Sequence, residues 1–157
     1  MEAMDGDFDR AESLMETADV EKDNRELRAV RNKICEKYAE AAKDRLVKLD
    51  VEEESYEKAS QQMTLARCYF VWGMYDDAEQ LLTESIEYFE TQLPGCHESL
   101  VAHLTLLKIF QRSGQTRKMD RLLRETLHRF RDQKELLASD RGKSAWSVVN
   151  ALARNAR

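Results

Sequence analysis

Apolar side chains recur every three to four residues along most of this chain, and glycine breaks the rhythm twice, 41 residues apart. Leu65-Ala66-Arg67-Cys68-Tyr69-Phe70-Val71-Trp72-Gly73-Met74-Tyr75-Asp76-Asp77-Ala78-Glu79-Gln80-Leu81-Leu82 recurs as Leu106-Leu107-Lys108-Ile109-Phe110-Gln111-Arg112-Ser113-Gly114-Gln115-Thr116-Arg117-Lys118-Met119-Asp120-Arg121-Leu122-Leu123. Both copies run apolar helix, Gly turn, apolar helix. A hairpin of this kind cannot bury its apolar face alone and must stack on a neighbour.

The flanking sequence extends the pattern. From about Asn24 to Leu49, the residues Leu27, Val30, Ile34, Tyr38, Ala41, Leu46 and Leu49 fall on one helical stripe. Asp50 with Glu53 reads as a capping box that starts the next helix near Val51. That helix is predicted to run to Trp72, bury Tyr56, Ala59, Met63, Ala66, Tyr69 and Phe70, and stop at Gly73. Asp76 and Asp77 open the following helix, where negative charge suits the helix dipole. Its buried side is Ala78, Leu81, Leu82, Ser85, Ile86 and Phe89, and Leu93-Pro94-Gly95-Cys96 ends it. Helices are predicted near 98–112 and 116–130. A last one begins at about Ser139, with Ala145, Trp146, Val149, Leu152 and Ala153 in phase. This last helix reads either as a cap or as the first half of a third repeat. Trp72 and Trp146 read first as core or inter-repeat packing.

Composition narrows the class. One Pro and five Gly are too few for a turn-rich β protein, so the chain is expected to be all-α, with about six to seven helices. No apolar run approaches the roughly 20 residues that span a bilayer. The acidic start has no hydrophobic segment behind it, which predicts no secretory signal. Residues 1–23 read as an acidic N-terminal segment, in which Phe8, Leu14, Met15 and Ala18 allow a short helix; 24–157 read as one helical domain. Cys35, Cys68 and Cys96 are odd in number and far apart, which suggests reduced thiols in the cytoplasm, with the nucleus as the alternative.

Charge is distributed unevenly. Residues 1–100 carry 12 Lys and Arg against 25 Asp and Glu, whereas residues 101–157 carry 13 against 5. If the helices stack in order, the chain is a dipole in space. Five cations, Arg117, Arg121, Arg124, His128 and Arg131, follow spacings of four, three, four and three and so share one helix face. The strip is either a solvated face or a docking surface for an acidic partner. Nucleic acid is disfavoured, because no exposed aromatics interleave the strip to stack bases and the acidic half repels a polyanion.

Residues 59–130 resemble the tetratricopeptide repeat family. In the first copy, Leu65, Ala66, Tyr69, Gly73, Tyr75, Ala78 and Leu82 stand at the family's spacings, with Gln62 where Trp is usual. The linker Leu93-Pro94-Gly95-Cys96-His97 is similar to that of the longer repeats of kinesin light chains, with Glu98 in place of a Pro. The second copy has Leu107 and Met119 at two positions that are small in the family and face each other across the hairpin. Two large side chains there predict a wider hairpin.

The resemblance implies a short stack of antiparallel hairpins. Its first helices line a groove for peptides, made here by Met63, Arg67, Phe70 and Val71 and by Val101, Leu104, Lys108, Gln111 and Arg112. Arg67, Lys108 and Arg112 among apolar residues favour an acidic-hydrophobic peptide or an acidic protein surface. The paired Lys and Asn with which chaperone-binding members hold a C-terminal carboxylate are absent at Met63, Arg67 and Thr105. The basic strip, on the same resemblance, is convex and exposed.

No phosphate-binding Gly loop, nucleophile elbow or metal-ligand spacing is present, so no catalytic residue, metal or cofactor is predicted. His97, His103 and His128 lie apart and read as capping, partly buried or surface side chains. The expectation is a non-enzymatic helical-repeat adaptor or scaffold that binds a protein or peptide partner. The charge split offers a second reading, head-to-tail self-assembly of acidic and basic halves, and a weaker third, nucleic-acid binding through the basic half.

Overall fold

A computed structural model of the chain describes residues 10, 25–49 and 53–155. Among these residues there is no strand, and seven helices succeed one another. They are α1 (Arg25–Lys48), α2 (Tyr56–Val71), α3 (Tyr75–Gln92), α4 (His97–Arg112), α5 (Thr116–Phe130), α6 (Lys134–Ala138) and α7 (Asp140–Asn155). Each packs on its neighbour in sequence, save α5 and α6. In addition α2 touches α4 and α4 touches α7, so α2, α4 and α7 form one row, with α3 and α5 as a second row on top. The expected all-α stack of antiparallel hairpins is what the chain forms. The acidic segment 1–23 lies, apart from Arg10, outside the described residues.

The two Gly turns are the same motif. Gly73 has φ +77° and donates to Phe70 O at 3.0 Å, while Met74 N donates to Tyr69 O at 2.8 Å. Gly114 has φ +71°, and Gly114 N and Gln115 N donate to Gln111 O at 3.4 Å and Phe110 O at 2.9 Å. These paired bonds close each helix on a left-handed residue, which glycine adopts without a Cβ clash.

Three apolar clusters fill the stack in sequence. Cys35, Ala39 and Ala42 of α1 meet Leu65, Cys68 and Val71 of α2. Ala59, Met63, Ala66 and Phe70 meet Ala78, Leu82 and Phe89 of α3 and Ala102, Leu106, Ile109 and Phe110 of α4. Leu100, Leu104 and Leu107 meet Leu123 and Phe130 of α5 and Ala145, Val149 and Leu152 of α7. Both α2 and α4 feed two clusters, so they are buried on most of their circumference.

Several expectations need correction. On α1 the buried positions are the small residues Cys35, Ala39 and Ala42; of the expected stripe Ile34, Tyr38 and Leu46 pack against that cluster, while Val30 and Ala41 are exposed. Helix α2 starts at Tyr56, not near Val51: Ser55 caps it by accepting from Lys58 N at 3.2 Å, and residues 53–55 are not helical. Tyr56 is exposed, its ring edge-on to Phe89, because it falls on the first turn rather than inside the helix. The short helix α6 was not foreseen.

The first hairpin is the more extensive of the two. Ala59, Ala66 and Ala78 are fully buried, and Ser85 Oγ donates to Ala59 O at 3.1 Å. In the second hairpin Leu107 is fully buried and Met119 is half-buried. Met119 packs between the second and third clusters, and the helices touch over less of their length.

Candidate functional site: a cationic cleft between three helices

The row α2, α4, α7 encloses a cleft of about 310 Å³. From α4 come His97, Val101, Leu104, Thr105 and Lys108, a single helical face by their spacing. From α7 come Asp140, Arg141, Ser144, Ala145 and Val148, again one face, and α2 supplies Arg67. Cations from three helices, Arg67, Lys108 and Arg141, thus converge on a wall of Val101, Leu104, Ala145 and Val148. Asp140 is the one carboxylate in the lining.

Of the groove residues expected from the sequence, Arg67, Leu104 and Lys108, together with Val101, line this cleft. Met63, Phe70 and Val71 do not. They are 7%, 1% and 3% exposed and fill the interhelical clusters, because stacking on both sides of α2 consumes its apolar positions. Gln111 and Arg112 are exposed at the C-terminal end of α4, past the lining. The wall that sequence reasoning missed is α7, with Arg141 and Val148. Its phase was readable, but not its partner: Ala145, Val149 and Leu152 dock it on Leu100, Leu104 and Leu107 of α4, and Gly142, lacking a Cβ, lets its first turn sit against the Leu136 carbonyl of α6.

One end of the cleft is held by a polar cluster. Tyr56 Oη donates to Glu98 Oε1 at 2.8 Å, and His97 Nδ1 lies 3.5 Å from Glu98 Oε2. The His97 and Tyr56 contacts hold the Glu98 carboxyl down at about 2, His97 contributing most. Burial, reinforced by Glu98, pushes the Tyr56 phenol up to about 12. The cluster anchors α4's first turn to α2 and sets His97 on the cleft rim.

His103 is buried on the other side of α4. Its Nδ1 is 2.7 Å from Ser99 O, its Nε2 is 3.1 Å from Glu90 Oε1, and its ring stands edge-on to Phe130. Burial pushes its pKa below the ordinary histidine value. Among the described residues, no group of three or more His, Cys, Asp or Glu is placed to hold a metal ion. No helix there is long and apolar enough to cross a membrane.

The basic strip is on α5 and the turn after it: Arg117, Arg121, Arg124, His128 and Arg131 are all exposed. Its neighbours Lys118 and Arg129 reach across to α3, at 2.8 Å from Glu79 and 2.8 Å from Glu90. No protein-family model, curated protein or solved structure matches the chain.

Proposed function

We propose that this chain is a non-enzymatic helical-repeat scaffold whose cleft takes an acidic-apolar segment of a partner protein. The observation that carries the reading is the convergence of Arg67, Lys108 and Arg141 on one apolar wall. A segment with carboxylates beside aliphatic side chains matches both features: charge-assisted hydrogen bonds fix its register, and Val101, Leu104 and Val148 remove its apolar side chains from water. The resemblance of residues 59–130 to tetratricopeptide repeats supports the same reading, since those repeats bind peptides along their first helices.

Selection of displayed random peptides on the wild type tests it. Peptides recovered there are expected to alternate Asp or Glu with Leu, Ile or Val, and to lose binding to Lys108→Glu with Arg141→Glu. Recovery of peptides that bind the double variant equally well overturns the assignment of the cleft.

A further inference from the structure

The second row of helices carries acidic and basic side chains next to each other on one exposed face. Helices α3 and α5 run parallel, because Glu79–Lys118 and Glu90–Arg129 join them at two points eleven residues apart on both. At 3.6 residues per turn, these four side chains mark the sides that face each other. Going round α3 away from that seam, Asp76, Glu87, Glu84 and Asp77 follow in order, all exposed. Going round α5 away from it come Arg121, His128, Arg117 and Arg124, also exposed. The surface therefore passes from a purely acidic margin, through a neutralised seam, to a predominantly basic one. Acid and base lie side by side rather than at opposite ends of the stack.

We propose that this face pairs with itself in a two-fold dimer. A two-fold axis parallel to the helices lays the acidic α3 of one copy over the basic α5 of the other, and the same operation makes the reciprocal contact. A uniformly acidic partner or a nucleic acid would gain from α5 but be repelled by α3 beside it. A surface with the same two rows in mirrored order is repelled by neither. The acidic margin also holds a pocket, lined by Glu54, Glu84, Glu87 and Tyr88, that suits a guanidinium. Below it Gln62, which is 5% exposed, gives Nε2 to Glu84 at 2.7 Å and leaves Oε1 without a partner. That margin is rich in acceptors, and Arg124 on the other copy's outer edge falls opposite it. An 18-residue helix is about 27 Å long, so two helices side by side cover roughly 500 Å² per copy. Such an area belongs to a weak, salt-sensitive dimer.

Sedimentation velocity at high protein concentration tests the pairing. The wild type is expected to dimerise at low salt and to be a monomer at about 1 M, where the Debye length is about 3 Å. Asp76→Lys with Glu87→Lys makes the face basic, and Arg121→Glu with Arg124→Glu makes it acidic. Each double variant alone is expected to be a monomer with unchanged helical circular dichroism, and their equimolar mixture to form a heterodimer at low salt. A wild type that stays monomeric at low salt overturns the proposal, as does a dimer that both variants retain, or a mixture that fails to pair. Salt-sensitive binding of a random oligonucleotide to a monomeric wild type would overturn it in favour of a polyanion.

Discussion

Glu90 Oε1 lies 2.8 Å from Arg129 Nη1 on α5 and 3.1 Å from His103 Nε2 on α4, so one carboxylate ties three helices together. The second bridge across the seam, Glu79–Lys118, has the more exposed cation, and its contact with α4 is Lys118 Nζ 5.4 Å from the centre of the Phe110 ring rather than a shared carboxylate. Double-mutant cycles on urea unfolding should separate the two. Glu79–Lys118 is expected to couple by only a few tenths of a kcal/mol, the ordinary worth of a solvated pair, and Glu90–Arg129 by about 1 kcal/mol. Equal coupling energies would show that the contact of Glu90 with His103 adds nothing to its pairing with Arg129.

Stability should fall in two steps as pH drops. His103 has a folded-state pKa below its unfolded value of 6.5, so the unfolded chain takes the proton first. Its contribution is complete above about pH 6.5 and declines below it. Glu98 is held at about 2 against an ordinary 4.5, so its contribution is complete above about 4.5 and is lost between there and about 2. Unfolding midpoints measured across this range should show both declines. Glu98→Gln should remove the lower one and leave the upper, and a profile unchanged by Glu98→Gln would contradict the Tyr56–Glu98–His97 account.

Two glycine-to-alanine changes should differ in cost. A Cβ on Gly142 would stand 1.8 Å from the Leu136 carbonyl oxygen, so backbone must move. A Cβ on Gly73 meets nothing, and only the φ of +77° is strained. Gly142→Ala is expected to lower stability by about 3 kcal/mol and Gly73→Ala by about 1 kcal/mol, read from chemical denaturation. The reverse order would mean that α7 is not seated through Gly142.

Cys35 and Cys68 are thiols outside any disulfide, have no exposed surface and face each other between α1 and α2. Hydrogen bonding to Cys35, and then burial, pushes the Cys68 thiol well above its ordinary value. Because the thiolate is the reactive form, a disulfide reagent at mildly alkaline pH is expected to leave both unmodified in the native protein and modify them on unfolding. Rapid native labelling of Cys68 would show that α1 detaches from α2.

The elements were legible where local chemistry decides them. Gly73 and Gly114 fixed the hairpin turns, and the phase of Ala78, Leu82 and Phe89 gave α3 its buried side. What periodicity did not show is which residues sit at the centre of each contact. In α1 the expected Ile34, Tyr38 and Leu46 flank the contact, and its centre is Cys35, Ala39 and Ala42, whose small size brings the helices close. Phe70 and Val71 were misplaced for a related reason: a helix stacked on both sides spends its apolar residues on neighbours, and only Arg67, itself 6% exposed, reaches the cleft from α2. Arg141 and Val148 complete the cleft only through the docking of α7 on α4, a tertiary contact made by Ala145, Val149 and Leu152.

The cleft itself is most directly tested by fluorescence anisotropy with degenerate peptide pools of equal length. One pool mixes Asp and Glu with Leu and Ile, one replaces the acids by Lys, and one replaces the aliphatics by Ser. The acidic-aliphatic pool alone is expected to bind, with affinity falling at least tenfold on Lys108→Glu with Arg141→Glu while the helical signal stays unchanged. Binding of all three pools alike, or an acidic-aliphatic affinity untouched by the double variant, would contradict the account.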